Sequence, residues 1–457
     1  MVVGTHTATL RLAEFALGLR CEDLPPEVVG RTKALFLDFL GVAFGGRLAE
    51  SAGPVLRAVG RLRAGQAGDA TVVGEKEGYP PHYAALLNGT FAHSQDFDDT
   101  HREGIIHPGA PIFAALLALA EVGSRPGREF IAAAVAGYEV SCRLAKAHGE
   151  KLHARGFHPT ATTGIFGATA AGARLIGLRV EQLLDAWGLN LSQAAGSLQF
   201  LENGAWNKRV HTGLAAHNAI VALTLAKEGV IGAADPFTGR FGYYSSYAGG
   251  SCDLDSALSD LEKGYEVMRT AVKPYPCCRY NHAVIDACLA IASAGGLEAG
   301  QIEAVQIELP PVAVPLIAEP EALKKAPANV VDGQFSVYFA AAVALTEGRF
   351  GWDSYGRLGE PGLRELMRRI KARGSAGLSE MGARVRVRFR DGREHSAEVN
   401  LPRGEPEAFP DWEALVGKMR ALALGSLDAG RVDGVIEKVR ELEEVKDLRE
   451  LTALLRP

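Results

Sequence analysis

The sequence predicts a mainly α protein, in which a large all-helical domain is interrupted by a smaller α+β domain. Three observations support this prediction. Helical periodicity dominates from Thr5 to about Glu262, strand-like alternation follows after about Gly264, and helical patterns return between 411 and 455. We therefore place the helical domain at residues 1–265 and 405–457, and the α+β domain at residues 266–404.

Signals at helix ends and apolar spacing support the helical domain. The first long helix has Pro25 and Pro26 at its start, apolar residues at helical spacing, and Gly45 with Gly46 as its predicted end. Later segments such as PIFAALLALAEVG and GLAAHNAIVALTLAKEG are rich in Ala and Gly. Because small residues let helices approach closely, we expect several buried helical layers. One short β-like stretch, DATVVG, interrupts them.

The middle segment combines strands with helices. QIEAVQIELP alternates apolar and polar residues as a strand does. RVRVRFRDGREHSAEVNLP contains two alternating runs around Asp391 and Gly392, which predicts a hairpin. Helical runs are predicted at 281–293, 335–346 and 362–370.

Composition excludes several classes of protein. The 457 residues carry 49 Lys plus Arg and 54 Asp plus Glu, and a net charge of −5 is too balanced for an electrostatic nucleic-acid binder. Six cysteines without a CxxC spacing favour a reducing cytoplasm. The N-terminal segment lacks the pattern of a secretory signal, and the most apolar stretch stops at Glu121, too short to span a membrane. We expect a cytoplasmic protein with no nucleic-acid or membrane partner.

Four polar clusters interrupt the apolar patterns. The first, AHSQDFDDTHREGIIHPGAP, gathers acids and histidines where unpaired charges are costly, which indicates a site. The alternative is that some of these acids only cap the loop or the helix after Pro108. The titratable residues of this cluster are Asp96, Asp98, Asp99, His93, His101 and His107.

The other three clusters carry histidines, cations and cysteines. His158 precedes Pro159 at a helix entry, although a single histidine is more often structural. NGAWNKRVHTGLAAHNA places Lys208, Arg209 and His211 before a buried helix, where cations oppose the helix dipole. We expect a compensating anion there, which a carboxylate substrate would supply. AVKPYPCCRYNHAVIDA places charged, nucleophilic and acid–base residues in one loop at a predicted domain junction, although its adjacent cysteines could simply be buried.

Several catalytic motifs are missing from usable positions in the sequence. We find no GxGxxG after a strand, no GxxxxGK[ST], no HExxH and no GxSxG. This argues against a nicotinamide dehydrogenase, a P-loop NTPase, a zincin or an α/β-hydrolase. The remaining His, Asp, Lys and Arg residues suit proton transfer beside a carboxylate.

Taken in order, the clusters resemble the MmgE/PrpD family, which includes 2-methylcitrate dehydratases and cis-aconitate decarboxylases. The strings HSQDFDDTH, GYEVSCRL, GFHPTATTG, NKRVHTGLAAHNA and KPYPCCRYNHAVIDA carry the resemblance over nearly the whole chain. It implies a helical domain with a smaller α+β lid domain, a homodimer, and no metal or organic cofactor. It also implies catalytic roles for Asp96, Thr100, His107, His158 and Lys208.

In the fourth motif the resemblance implies substrate binding, with one departure. Cys278 occupies a position that the decarboxylases fill with histidine, which makes cis-aconitate decarboxylation a weaker expectation. The 2-methylcitrate dehydratases also differ in this loop, so their substrate does not transfer directly. Tyr338 matches a family tyrosine on the lid. We assign substrate binding to Lys273, Cys278, Arg279, Arg209, His282 and Tyr338.

The resulting hypothesis is a cofactor-independent lyase that removes water from a hydroxy di- or tricarboxylate of the 2-methylcitrate type. Lysines would hold carboxylates, His158 or His107 would serve as base and acid, and Thr100 would bind a substrate oxygen. Asp96 would orient a histidine or hydrogen-bond the leaving hydroxyl. Three alternatives stay open: cis-aconitate-type decarboxylation or epimerisation in the same pocket, a Mg²⁺ site at DFDDT, and a non-catalytic carboxylate-binding protein.

Overall fold

The computed structural model describes residues 7–250, 252–294 and 299–457, so the predicted start at Thr5 lies outside the described residues. The chain divides into two compact units. Unit 1 comprises the described residues of 1–200, 206–272 and 411–457, and unit 2 comprises those of 201–205 and 273–410. The chain therefore passes between the units slightly later than our predicted boundaries, at 272/273 and 410/411.

Unit 1 is almost entirely helical, and two of its helices, α5 (Gly109–Val122) and α8 (Pro159–Ile176), are buried along nearly their whole length. Helices that are apolar on all sides must be enclosed by others, and these two pack among α4 (Pro81–His93), α6 (Gly127–His148) and α10 (Asn207–Lys227). The helices are α1 Thr7–Gly18, α2 Pro26–Arg47, α3 Ala52–Leu62, α4 Pro81–His93, α5 Gly109–Val122, α6 Gly127–His148, α7 Lys151–Ala154, α8 Pro159–Ile176, α9 Val180–Asn190, α10 Asn207–Lys227, α11 Leu254–Ala257, α17 Trp412–Ala423, α18 Ala429–Arg440 and α19 Arg449–Thr452. The short strands are β1 Ala70–Thr71, β2 Gly78–Tyr79, β3 Thr100–His101 and β4 Thr270–Ala271.

Helix α2 ends one residue after the predicted Gly45 and Gly46. Gly45 and Gly46 lie inside the helix, which continues to Arg47. A Cβ atom on Gly46 would overlap the carbonyl group of Phe91 on α4. These glycines therefore permit close contact with neighbouring residues rather than ending the helix.

Close approach also defines the packing of α4 on α10. A Cβ atom on Gly213 would overlap the carbonyl oxygen of Leu86, and one on Gly89 would lie 2.9 Å from the Cα atom of Gly213. The two helix backbones are thus almost in contact. This matters for the site because α4 ends at His93 and α10 carries Lys208 in its first turn.

The C-terminal helices complete unit 1. Helix α17 packs on α2, where Lys418 Nζ lies 2.7 Å from Asp38 Oδ1. The same ammonium group donates a hydrogen bond of 2.9 Å to the carbonyl oxygen of Phe97. The C-terminal segment therefore helps to hold the loop that follows α4.

Unit 2 contains a four-stranded sheet in the order β6-β5-β7-β8. The predicted strand and hairpin are confirmed, because β5 runs antiparallel to β7 and β7 pairs with β8 around Asp391 and Gly392, whose φ is 87°. Strand β6 is parallel to β5, and α12 packs on β7 and β8. The elements are α12 His282–Ser293, α13 Glu321–Lys324, α14 Val330–Gln334, α15 Val337–Glu347, α16 Pro361–Arg368, β5 Ile302–Leu309, β6 Ile370–Gly374, β7 Ala383–Phe389 and β8 Glu394–Val399.

None of the helices in the described parts of the chain combines the length and the apolar character needed to cross a lipid bilayer.

Substituting Gly213 with Ala tests the close packing of α4 on α10. The new methyl group must push the helices apart, and overpacking of this kind costs about 1–3 kcal/mol. We expect a lower urea midpoint and a lower melting temperature for Gly213→Ala. The matched control is Gly60→Ala on α3, where a Cβ would meet no atom within 4 Å. Alanine should be neutral or stabilising there, by up to about 1 kcal/mol. Equal effects of the two substitutions would contradict the packing argument.

Candidate active site

Most of the first polar cluster lies in the segment 94–108 between α4 and α5, and most of this segment is buried. Strand β3 within it pairs antiparallel with β4. His101 Nε2 lies 2.8 Å from Glu266 Oε2, while the Gly104 N–H group donates to His101 Nδ1. These bonds place the proton of His101 on Nε2 and tie the loop to Glu266.

Asp98 bridges two histidines. Its Oδ2 atom lies 2.7 Å from His93 Nδ1, and its Oδ1 atom lies 3.2 Å from His107 Nδ1. Burial alone would raise the pKa of Asp98, but the charges and hydrogen bonds of His93 and His107 hold it well below its usual range. Asp98 is therefore ionised at neutral pH and lies against both rings.

Asp96 forms the second ion pair of the loop. Lys208 Nζ donates to Asp96 Oδ1 at 2.5 Å, and His107 Nε2 lies 3.7 Å from the same oxygen. The φ of Asp96 is 52°, a left-handed conformation that is uncommon for residues other than glycine. The loop thus accepts local strain while it directs this carboxylate toward α10.

His158 lies at the entry of α8, beside three other histidines. Its Nδ1 atom is 3.1 Å from His211 Nδ1, and its ring stacks on that of His93 with the centroids 5.7 Å apart. Burial, followed by the charges of His93, His211 and Lys208, lowers the pKa of His158 well below its ordinary value. Burial is also the main reason that the pKa of His211 falls to about 4. His158 is therefore neutral near pH 7, so one of its ring nitrogens is unprotonated.

Thr100 is 6% exposed, and its Oγ1 atom makes no hydrogen bond to any residue that the structure describes. Buried hydroxyl groups usually find a partner. A substrate oxygen would provide one.

Cations occupy the first turn of α10, as the sequence indicates, and the protein places a carboxylate beside each of them, while a substrate anion at this helix end stays a prediction. Lys208 is compensated by Asp96, and Arg209 Nη1 lies 3.0 Å from Glu50 Oε1. Arg209 also donates to Ser51 Oγ. The protein thus supplies its own anions at this helix end, and substrate binding by Arg209 stays a prediction.

The three aspartates of DFDDT point to different partners. Asp99 accepts hydrogen bonds from the Tyr138 hydroxyl at 2.5 Å and from the Gly109 N–H group at the start of α5. It is one of the capping residues that the sequence allowed for. Burial raises the pKa of Asp99 to about 8, so it is largely neutral at pH 7. The three carboxylates therefore do not converge as oxygen ligands of a Mg²⁺ ion would.

A different set of residues could hold a metal ion. One ligand atom each from His93, Asp98 and His107 lies within 4.8 Å of the others. Two imidazole nitrogens and a carboxylate suit a transition metal better than Mg²⁺. In the same group Asp98 Oδ2 is hydrogen-bonded to His93 Nδ1, and Asp98 Oδ1 lies at ion-pair distance from His107 Nδ1.

The fourth cluster belongs to unit 2, where Lys273, Cys278 and Tyr338 are all buried. The Tyr338 hydroxyl donates to the carbonyl oxygen of Ala318 at 3.2 Å. Arg279 binds the carboxylate of Glu405 through two nitrogens.

His282 completes the predicted residues of unit 2. Its Nε2 atom lies 3.4 Å from the carbonyl oxygen of Cys277, and its ring packs edge-on to Tyr275. Substrate binding by the residues of this unit stays a prediction.

Within unit 1 the structure therefore connects Asp96, His107 and Lys208 directly. Three further residues of this site were absent from the predicted set: His93, Asp98 and His211. All three occur in the polar clusters of the sequence, so the crowding of titratable residues was the available signal. Spacing could not reveal that their side chains meet those of the predicted residues.

Comparison with known proteins identifies the class. Residues 10–254 match the MmgE/PrpD N-terminal domain, and residues 275–444 match the MmgE/PrpD C-terminal domain. The chain belongs to the MmgE/PrpD family.

The relatives found include three decarboxylases or decarboxylase-like proteins. The chain is 26% identical to the cis-aconitate decarboxylase-like protein oryM of Aspergillus oryzae (strain ATCC 42149 / RIB 40), over 98% of this chain and 97% of that protein. It is 26% identical to a cis-aconitate decarboxylase of Aspergillus terreus, over 98% and 95% of the two chains. The cis-aconitate decarboxylase of Mus musculus is also 26% identical, over 96% of this chain and 91% of the relative.

The depressed pKa of His211 makes stability depend on pH. The unfolded histidine takes up a proton below about pH 6.5, while the folded one resists protonation until about pH 4. Its contribution is therefore intact above about pH 6.5 and is lost as the pH falls toward 4. Relative to His211→Asn, the wild type should lose up to about 3 kcal/mol of unfolding free energy over this interval. Urea titrations of both proteins measure this, and a stability difference that does not change with pH would contradict it.

Proposed function

We propose that this protein is a cofactor-independent lyase that dehydrates a hydroxy di- or tricarboxylate of the 2-methylcitrate type. The observation that carries the proposal is the arrangement in unit 1. Lys208 and the Asp96 carboxylate lie beside two histidines in contrasting surroundings. His158 is held neutral, whereas His107 lies between the carboxylates of Asp96 and Asp98. Contrasting environments of this kind separate a base from an acid.

In the proposed reaction His158 is the base. It takes a proton from the carbon next to a substrate carboxylate, and the electron pair left on that carbon forms the new carbon–carbon double bond as the hydroxyl group leaves. His107 gives its Nε2 proton to that hydroxyl, which departs as water. Two carboxylates beside His107 favour its charged form, which a proton donor requires.

Lys208 would stabilise the negative charge that develops on the substrate carboxylate. An ammonium group offers three donors, so Lys208 can hold Asp96 and a substrate oxygen together. Thr100 would donate its hydroxyl proton to another substrate oxygen. For the substrate-binding residues of unit 2, we retain Lys273 as the best candidate, because its charge suits a second carboxylate.

Decarboxylation of a cis-aconitate-type substrate is the second candidate, and the relatives favour it because the curated proteins named above are cis-aconitate decarboxylases or like them. In that reaction a carbon–carbon bond breaks, carbon dioxide leaves, and an acid protonates the resulting carbanion. Against it, Cys278 stands where the resemblance implies histidine in the decarboxylases.

Two features of the family remain proposals for this chain. We propose that unit 2 serves as a lid domain and that the protein forms a homodimer. Support for a dimer comes from α10 and the residues after it, where Leu214, Leu225, Val230 and Ile231 are all at least 39% exposed. Sedimentation velocity on the purified chain measures the oligomeric state, and a monomer would contradict the dimer.

Incubation with hydroxy di- and tricarboxylates in deuterated water tests the function. Proton and carbon NMR distinguish loss of water, loss of carbon dioxide, and deuterium exchange with inversion. We expect loss of water. Because general base catalysis contributes about 10²–10⁴-fold, His158→Asn should lower kcat by at least about 100-fold.

The matched control is His153→Asn on α7, a partly exposed histidine outside the cluster, which should retain wild-type turnover. If carbon dioxide is the product, the dehydration proposal is wrong and decarboxylation is the reaction. Wild-type turnover in His158→Asn would remove His158 from the mechanism under either reaction.

A further inference from the structure

The buried ring of His101 joins the segment 94–108 to the rest of unit 1. Its Nε2 atom donates to Glu266 Oε2 at 2.8 Å, and its Nδ1 atom accepts from the Gly104 N–H group at 3.2 Å. Both nitrogens of the ring are therefore hydrogen-bonded within the protein. His101 follows Thr100 directly in β3. It has no part in the proposed reaction, so its complete burial and its two hydrogen bonds need another explanation.

Glu266, which accepts from His101, is itself fixed mainly by α6. Its backbone N–H group donates to Glu139 Oε1, and Lys146 Nζ donates to its Oε1 atom at 2.9 Å. Arg269 Nη1 donates to the same oxygen at 3.0 Å. Burial alone would raise the pKa of Glu266, but the hydrogen bond and charge of His101, followed by those of Lys146, lower it to about 2. Glu266 is therefore an ionised acceptor whose position is set by a buried helix.

Strand β3 links the position of the His101 ring to the direction of the Thr100 side chain. Thr100 pairs with Ala271, and His101 pairs with Thr270, in the antiparallel ladder of β3 and β4. Successive side chains of a strand point to opposite faces. A ring that is held on one face therefore sets the direction of the Thr100 side chain on the other face.

We propose that His101 is a positioning residue: held by Glu266, it keeps the Thr100 hydroxyl directed at the substrate. Within the described ranges of the chain, the Thr100 hydroxyl has no hydrogen bond of its own to orient it. Because threonine is β-branched and stiff at χ1, the backbone largely determines where its hydroxyl points. The role of Thr100 rests on the proposed function, in which it donates to a substrate oxygen, whereas the anchoring of β3 does not.

The residue on the other side of Thr100 is held from the same helix. The Tyr138 hydroxyl on α6 donates to Asp99 Oδ2 at 2.5 Å. Tyr138 and Glu139 are adjacent in the string GYEVSCRL, which is part of the family resemblance but has no catalytic role in the proposed reaction. Through Asp99 and Glu266, this string supports Thr100 from both sides.

Two substitutions of His101 test whether its hydrogen bond to Glu266 is what matters. His101→Leu removes the ring nitrogens at similar size, whereas His101→Gln keeps an N–H donor near the place of Nε2. We expect kcat/KM for 2-methylcitrate to fall at least about tenfold in His101→Leu and to stay within about threefold of wild type in His101→Gln. If decarboxylation is the reaction, cis-aconitate replaces 2-methylcitrate. An equal loss in the two variants would contradict the proposal.

A double-mutant cycle with Thr100→Val separates positioning from a general loss of structure. Valine keeps the shape of threonine without its hydroxyl. If His101 acts through that hydroxyl, adding His101→Leu to the Thr100→Val protein should lower kcat/KM less than about threefold further. A purely structural effect would have the same size with and without the hydroxyl, and this result would overturn the proposal.

Amide hydrogen exchange followed by mass spectrometry gives a readout that does not require turnover. The His101 N–H group donates to the carbonyl oxygen of Ile106 at 2.8 Å, and the Ile106 N–H group donates back to His101 at 3.4 Å. These amides should open more often when the ring anchor is lost. We expect peptides covering residues 97–108 to exchange at least about tenfold faster in His101→Leu, and near the wild-type rate in His101→Gln.

The matched control for the loss of a buried imidazole is His148→Leu. His148 is the last residue of α6, it is 1% exposed, and its Nδ1 atom donates to the carbonyl oxygen of Gly149. It makes none of the contacts described for β3. This variant should leave both kcat/KM and the exchange of residues 97–108 unchanged.

Each outcome decides the proposal. Unchanged exchange of residues 97–108 in His101→Leu would overturn it, even if the wild type is an active lyase. Faster exchange with additive effects in the cycle would also overturn it, because β3 would then be anchored without serving Thr100. If the wild type turns over neither 2-methylcitrate nor cis-aconitate, the proposed function fails, and hydrogen exchange alone decides whether His101 anchors β3.

Discussion

A carboxylate that is buried among helices keeps its charge only if donors surround it, and this constraint organises the loop between α4 and α5. Asp96 is paired with Lys208 and Asp98 with two histidines, while Asp99, whose donors are a tyrosine and a backbone amide, has its pKa raised to about 8. Whether each acid keeps its charge therefore depends on the groups that contact it. The DFDDT motif thus contains three aspartates with different contacts. Asp96 pairs with a lysine, Asp98 lies against two histidine rings, and Asp99 accepts from the backbone at the start of α5.

The packing of the helices in unit 1 brings these aspartates together with the residues that contact them. Lys208 and Asp96 are 112 positions apart in the chain, yet their side chains meet because α10 lies against α4. Glycines such as Gly213 make that approach possible. The same packing encloses His158, so that burial and nearby positive charge keep its ring neutral. Stability and acid–base chemistry therefore have a common origin in close helix packing.

The sequence was a good guide to the elements and to the residue types of the site. Apolar periodicity predicted the helical character of unit 1 and the β7–β8 hairpin, and the crowding of acids and histidines marked the loop. Local patterns could not show which partner each acid would have, since those partners lie on distant helices. For the same reason Gly45 and Gly46 suggested a helix end, although their actual role is contact with neighbouring residues.

The central claim is that the Lys208 region of unit 1 binds a polycarboxylate. Calorimetric titration of a tricarboxylate that lacks the hydroxyl group, and so cannot be dehydrated, tests it most directly. The account predicts one binding site per chain in the wild type and a Kd at least about tenfold weaker in Lys208→Gln, which corresponds to about 1.4 kcal/mol. Equal affinity of the two proteins for the tricarboxylate would contradict it.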